Sequence, residues 1–133
     1  MSLFRSIQQF FSNHFETGER EENPMLRTHY YKATTSNALK IIQEQLANMP
    51  GFKITSVSSE HGEISVEVTS PKRAFIVVSV VSVRPLETAV DFSVTSESAF
   101  SFGYSRVIIG KLYKVLNEKL VHIGKGNAIA GNK

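Results

Sequence analysis

The chain has 133 residues, a net charge of +3, 41% hydrophobic residues and no cysteine. Its length suits one domain able to bury about two-thirds of the surface of the unfolded chain. The lack of cysteine excludes disulfides, thiolate zinc sites and cysteine nucleophiles, and fits a reducing cytosol.

The opening residues place Leu3, Phe4, Ile7, Phe10, Phe11 and Phe15 at spacings of three and four, which predicts an amphipathic helix over residues 1–15. Arg5, Gln8, Gln9, Asn13 and His14 interrupt the apolar run, so an export signal is not expected. Residues 16–26 are charged, contain Gly18 and Pro24, and carry no apolar anchor before Met25. They read as a connector to a main domain over 27–123.

Arg27 to Ala33 is rich in aromatic residues and predicts a strand. Thr34, Thr35 and Ser36 then offer oxygens to cap a helix whose apolar positions are Leu39, Ile42, Leu46 and Met49, and Pro50 and Gly51 end that pattern. Beyond this stop the period becomes two. Phe52 and Ile54 mark a first short strand, and Ile64, Val66 and Val68 a second, with His61 and Gly62 in the turn between them.

Ala74 to Val83 is apolar at both alternations, with Phe75, Val77 and Val81 on one side and Ile76, Val78 and Val80 on the other. That predicts a central strand covered above and below. It is too short to cross a bilayer as a helix, which takes about 20 residues. Thr88 to Ser96 predicts a half-exposed strand with Val90, Phe92 and Val94 inward. Ile108, Ile109, Leu112, Leu116, Leu120 and Ile123 then describe a long helix ended by Gly124, with 124–133 as a flexible tail.

The expected fold class is therefore α+β: an N-terminal amphipathic helix followed by β-α-β-β-β-β-α, an antiparallel sheet with both helices packed on one face. The order over 27–123 resembles the TATA-binding-protein-like and helix-grip folds. Locally, AVDFSVTSESAFSFGYSRVIIGKLYKVLNEKL, with HFETGEREENPMLRTHYYK earlier, resembles a family of small uncharacterised cytosolic proteins of Gram-positive bacteria. The likeness rests on a serine-rich strand end followed by Phe102, Gly103, Tyr104, Ser105 and Arg106, and it implies no activity or catalytic residue. A related group carries an acidic pair in the strand matching Phe75–Val81; that pair is absent here.

The chemistry-bearing residues are few. Ser96, Ser98, Ser101, Gly103, Tyr104, Ser105 and Arg106 gather where a strand hands over to a helix, which makes them anion-site candidates, with helix capping the bland alternative. His14, His29, His61 and His122 lack metal-ligand spacing, so neither a metal nor a cofactor is expected. Asp91 has no carboxylate beside it for acid–base work. No Gly-x-Ser-x-Gly elbow or phosphate-cradling glycine loop occurs.

Arg27, Tyr30, Tyr31 and Lys32, with Lys53, Lys72 and Arg73, interleave rings and cations. The adjacent tyrosines point to opposite faces, however, and the basic excess is small, so nucleic acid is not the expected partner. The basic stretch from Tyr104 onward, with only Glu118 against it, reads as a solvated surface. These features predict a non-enzymatic cytoplasmic binding or dimerisation module, with Phe4, Ile7, Phe10, Phe11 and Phe15 as interaction-helix candidates. The alternative is a carrier holding a small hydrophobic ligand between the sheet and the last helix.

Overall fold

The computed structural model describes residues 14–18, 27–70, 72–96 and 102–125. In chain order its elements are β1 (His14–Glu16), β2 (His29–Lys32), α1 (Thr35–Ala47), β3 (Phe52–Ser58), β4 (Glu63–Val68), β5 (Ala74–Arg84), β6 (Glu87–Ser96), α2 (Phe102–Lys119) and β7 (Val121–Lys125). The strands form one seven-stranded sheet in the order β3-β4-β5-β6-β2-β7, with β1 also paired to β6. All of these ladders are antiparallel.

The meander β3 to β6 follows from the alternating sequence. Ile64, Val66 and Val68 of β4, Ala74, Ile76, Val78 and Val80 of β5, and Val90, Phe92 and Val94 of β6 all turn to one face and are buried. Thr34 caps α1, its hydroxyl accepting a hydrogen bond from the Asn37 N–H at 3.1 Å. Helix α1 buries Ala38, Leu39, Ile42 and Leu46, and α2 buries Ile108, Ile109, Leu112, Tyr113 and Leu116, in the same core as that sheet face. Both helices thus lie on one side, as expected of an α+β domain of this pattern. At Gly62 the backbone takes φ +68° while its carbonyl accepts from the Val80 N–H at 2.8 Å. A Cβ there would run into the Val80 carbonyl.

Several expectations are corrected. The element order gains a strand at each end. Phe15, expected on the N-terminal helix, is the middle residue of β1 and pairs with Val94, while Glu16, expected in the connector, pairs with Ser93. Strand β2 covers β6 only along Val90, Ala89 and Thr88, so the backbone groups of Ser93 to Thr95 need another partner, and β1 supplies it. Leu3, Phe4, Ile7, Phe10 and Phe11 lie outside the described residues.

At the other end the last helix stops at Lys119, and Val121 to Lys125, read as helix end and tail, pair with β2. Val121 and Ile123 are exposed while the ring of His122 turns back to stack on His29. The alternation is that of a strand, but its inward residue is polar. Strand β5 is not covered on both sides either: Phe75 and Val81 are 45% and 56% exposed.

Between the sheet and the last helix the described side chains around Phe92 pack closely. Phe92 meets Leu112, Leu116, Ile42 and Leu46 around a residual void of about 10 Å³, which holds at most a water.

Candidate functional site

The open face of the sheet is read from the register. Across the strands, Glu67, Phe75 and Thr95 form one row, Ser65, Val77 and Ser93 the next, and Glu63, Ser79 and Asp91 a third. Val81 lies opposite Ala89 one row further on, and Val83 sits beyond it at the irregularity before the Arg84–Glu87 closure. Phe75, Val77, Val81 and Val83 thus run along β5 as an apolar stripe flanked by hydroxyls and carboxylates. Such a stripe is unusual on the solvent face of an antiparallel sheet, which is normally polar.

At one end the stripe opens into a concavity of about 440 Å³ lined by Thr55, Glu67, Arg73, Phe75, Thr95 and Ser96. The guanidinium of Arg73 donates to the Glu67 carboxylate at 3.2 Å, with both side chains largely exposed. At the other end Arg84 pairs with Glu87 at 3.0 Å across a turn in which Leu86 has φ 60° and is 54% exposed. A leucine in the left-handed region costs about 1–2 kcal/mol, so the tip keeps an apolar side chain outward against its backbone preference.

The described anion-site candidates fall on two elements, β6 and α2. Ser96 is buried at the end of β6 and borders the open-face concavity. Ser105 is buried within α2, one turn beyond its start, and Gly103 lies in the same first turn. Arg106 is exposed on that helix, and Ser98 and Ser101 lie outside the described residues. Tyr104 is half-buried, and its hydroxyl donates to the Lys72 carbonyl at 2.7 Å while accepting from the Lys72 N–H at 3.3 Å. It therefore ties the β4–β5 connection to α2. Tyr104 also borders a separate groove of about 430 Å³ with Pro50, Phe52, Ser70, Val107, Ile108 and Lys111.

Two polar clusters escaped sequence reasoning. One carboxylate oxygen of Asp91 accepts hydrogen bonds from Thr17 at 2.6 Å and Thr28 at 2.7 Å. The Thr17 hydroxyl in turn accepts from the Phe92 N–H at 2.9 Å. Asp91 thus clamps β1 and β2 where they part along β6. The second cluster is a ring stack. His29, buried, lies 3.4 Å from Tyr113 in a near-parallel stack and 4.8 Å from His122, and Tyr113 meets Phe92 edge-on.

Tyr113 donates to the Val90 carbonyl at 2.8 Å and Tyr31 to Asn117 at 2.7 Å. Burial pushes both phenols well above the ordinary tyrosine range. The available signal for this cluster was His29 and His122 each standing inside an aromatic or β-branched run. Among the described residues no group of three or more His, Asp or Glu is placed to hold a metal. No helix among them is long and apolar enough to cross a membrane.

No family model, curated protein or solved structure matches this chain.

Proposed function

We propose that this chain is a non-enzymatic assembly module that dimerises through the open face of its sheet. The observation that carries the reading is the exposed apolar stripe of β5, with Phe75 at 45%, Val81 at 56% and Val83 at 45% exposure. Apolar side chains aligned on one face gain about 25 cal/mol per Å² when that face is covered.

The pattern of the stripe favours a second copy as the cover. It reads apolar, apolar, Ser, apolar, apolar from Phe75 through Ser79 to Val83. A two-fold axis lying over Ser79 reverses the strand direction and brings Val77 to Val81 and Phe75 towards Val83 of the other copy. Self-complementarity of this kind is what an isologous interface requires. Two sheets meeting so would sit ~10 Å apart with their strands within about 30° of one another. Kinship with the small cytosolic proteins of Gram-positive bacteria belongs to the same proposal and adds no partner to it.

Sedimentation velocity of the full chain across a wide concentration range tests the reading. The expected result is a concentration-dependent dimer that Val81→Lys converts to monomer and Val57→Lys, on the outer strand β3, leaves intact. A monomer at every concentration overturns the proposal, as does a dimer that survives Val81→Lys.

A further inference from the structure

The groove beside Tyr104 lies between the end of α1, the start of β3 and the first turns of α2, away from the open face. Its walls are Pro50, Phe52, Val107 and Ile108, and its polar groups are Ser70, Tyr104 and Lys111. Val107 is 64% exposed although it sits on a helix whose next residue, Ile108, is buried. The volume of about 430 Å³ falls in the range of small-molecule sites, which run from about 300 to 1,000 Å³ with mainly apolar walls and a few polar groups. It is an open groove on the surface and not the closely packed region around Phe92.

Charge decides the kind of occupant. Lys111 is exposed and makes no ion pair with any described residue. A second cation, the Lys72 ammonium, stands 5.9 Å from the centre of the Tyr104 ring. No carboxylate lines the groove among the described residues. An apolar trough that carries Lys111, has the Lys72 ammonium over the ring of one of its walls and shows no carboxylate among its described lining residues is complementary to a molecule with an apolar body and a negative end.

We infer that this groove binds a small amphipathic anion, a carboxylate on an alkyl chain, with the chain along Phe52, Val107 and Ile108 and the carboxylate at Lys111. The hydroxyl of Tyr104 is already engaged on the backbone of Lys72, so its part is to offer a ring edge and hold the wall in place. Lys111 supplies the selectivity for a charged head.

Decanoate and decanol serve as probes, titrated into the isotopically labelled full chain and followed by amide chemical shifts. Decanoate is expected to move the resonances of Phe52, Ser70, Tyr104, Val107 and Ile108. Lys111→Gln should weaken it about three- to fivefold, the range for one exposed charge contact, while leaving decanol and the folded spectrum unchanged. Decanol binding as tightly as decanoate overturns the inference, as do shifts centred on Phe75 and Thr95 or equal decanoate affinity in Lys111→Gln. Because Val81→Lys alters only the open face, decanoate binding that persists in that variant separates this site from the dimer interface.

Discussion

The two faces of the sheet are built from alternate residues of the same strands. In β5, Ile76, Val78 and Val80 are all but inaccessible, whereas Phe75 and Val81, their immediate neighbours, are about half exposed. Residue type does not separate these sets; only the helices do. Both α1 and α2 pack on the even-numbered side of β5, so hydrophobicity of equal strength yields a core on one side and an exposed apolar stripe on the other. The same alternation in β6 puts Val90, Phe92 and Val94 under the helices and Asp91, Ser93 and Thr95 opposite, and there the sequence itself is polar where the face is open.

That contrast is most sharply tested in β5. Ile76→Ala should cost about 2–5 kcal/mol in urea unfolding, as for a large-to-small change in a closed core. Val81→Ala, five residues along on the open face, should stay within about 0.5 kcal/mol at concentrations where the chain is monomeric. Comparable losses at the two positions would mean that the open face is covered within one chain.

A second test uses pH and touches only the covered side. Tyr31 and Tyr113 are held protonated by burial. Their folded-state pKa values are raised, so the stability they confer is fully present below the ordinary tyrosine value near 10 and is lost as pH climbs beyond it. Above that point the unfolded chain binds fewer protons than the native one, and stability should fall by about 1.4 kcal/mol per pH unit for each tyrosine. Tyr31→Phe should roughly halve the slope, read from denaturation midpoints between neutral and strongly alkaline pH.

A smaller loss than at Ile76 is expected at the junction of the faces. Asp91→Ala removes the acceptor shared by the buried Thr17 and Thr28 hydroxyls and should cost about 1–2 kcal/mol, the penalty for stranding buried donors. Hydrogen exchange should quicken first at the amides that β1 and β2 donate to β6. If protection is lost uniformly through the sheet, Asp91 supports the whole domain and not this clamp alone.

How much of this was legible depended on whether the inward residues were apolar. Ile64, Val66 and Val68 announced β4 because each inward position is aliphatic and each outward one polar. β7 was hidden because its inward residue is His122, stacked on His29, so that Leu116, Leu120 and Ile123 passed for a continuing helix. β1 was hidden for a related reason: three residues carry no readable period, and Phe15 continued the spacing of Phe11. Tyr104 could be singled out from its place after Gly103, but its attachment to Lys72 crosses 32 positions and leaves no local trace.

The sequence by itself determined the α+β class, both described helices, the four consecutive strands and the inward sets of β4 and β6, because period, capping residues and turn glycines act over a few neighbouring positions. Only the tertiary structure decided which side of β5 is open, where β2 and β7 join the sheet, and that Asp91, His29 and Lys111 stand at a clamp, a ring stack and a groove. Those outcomes depend on which distant backbone edges remain unpaired and which apolar surfaces are covered first. Contacts of that kind are settled by packing across the whole domain, and no local run of residues encodes them.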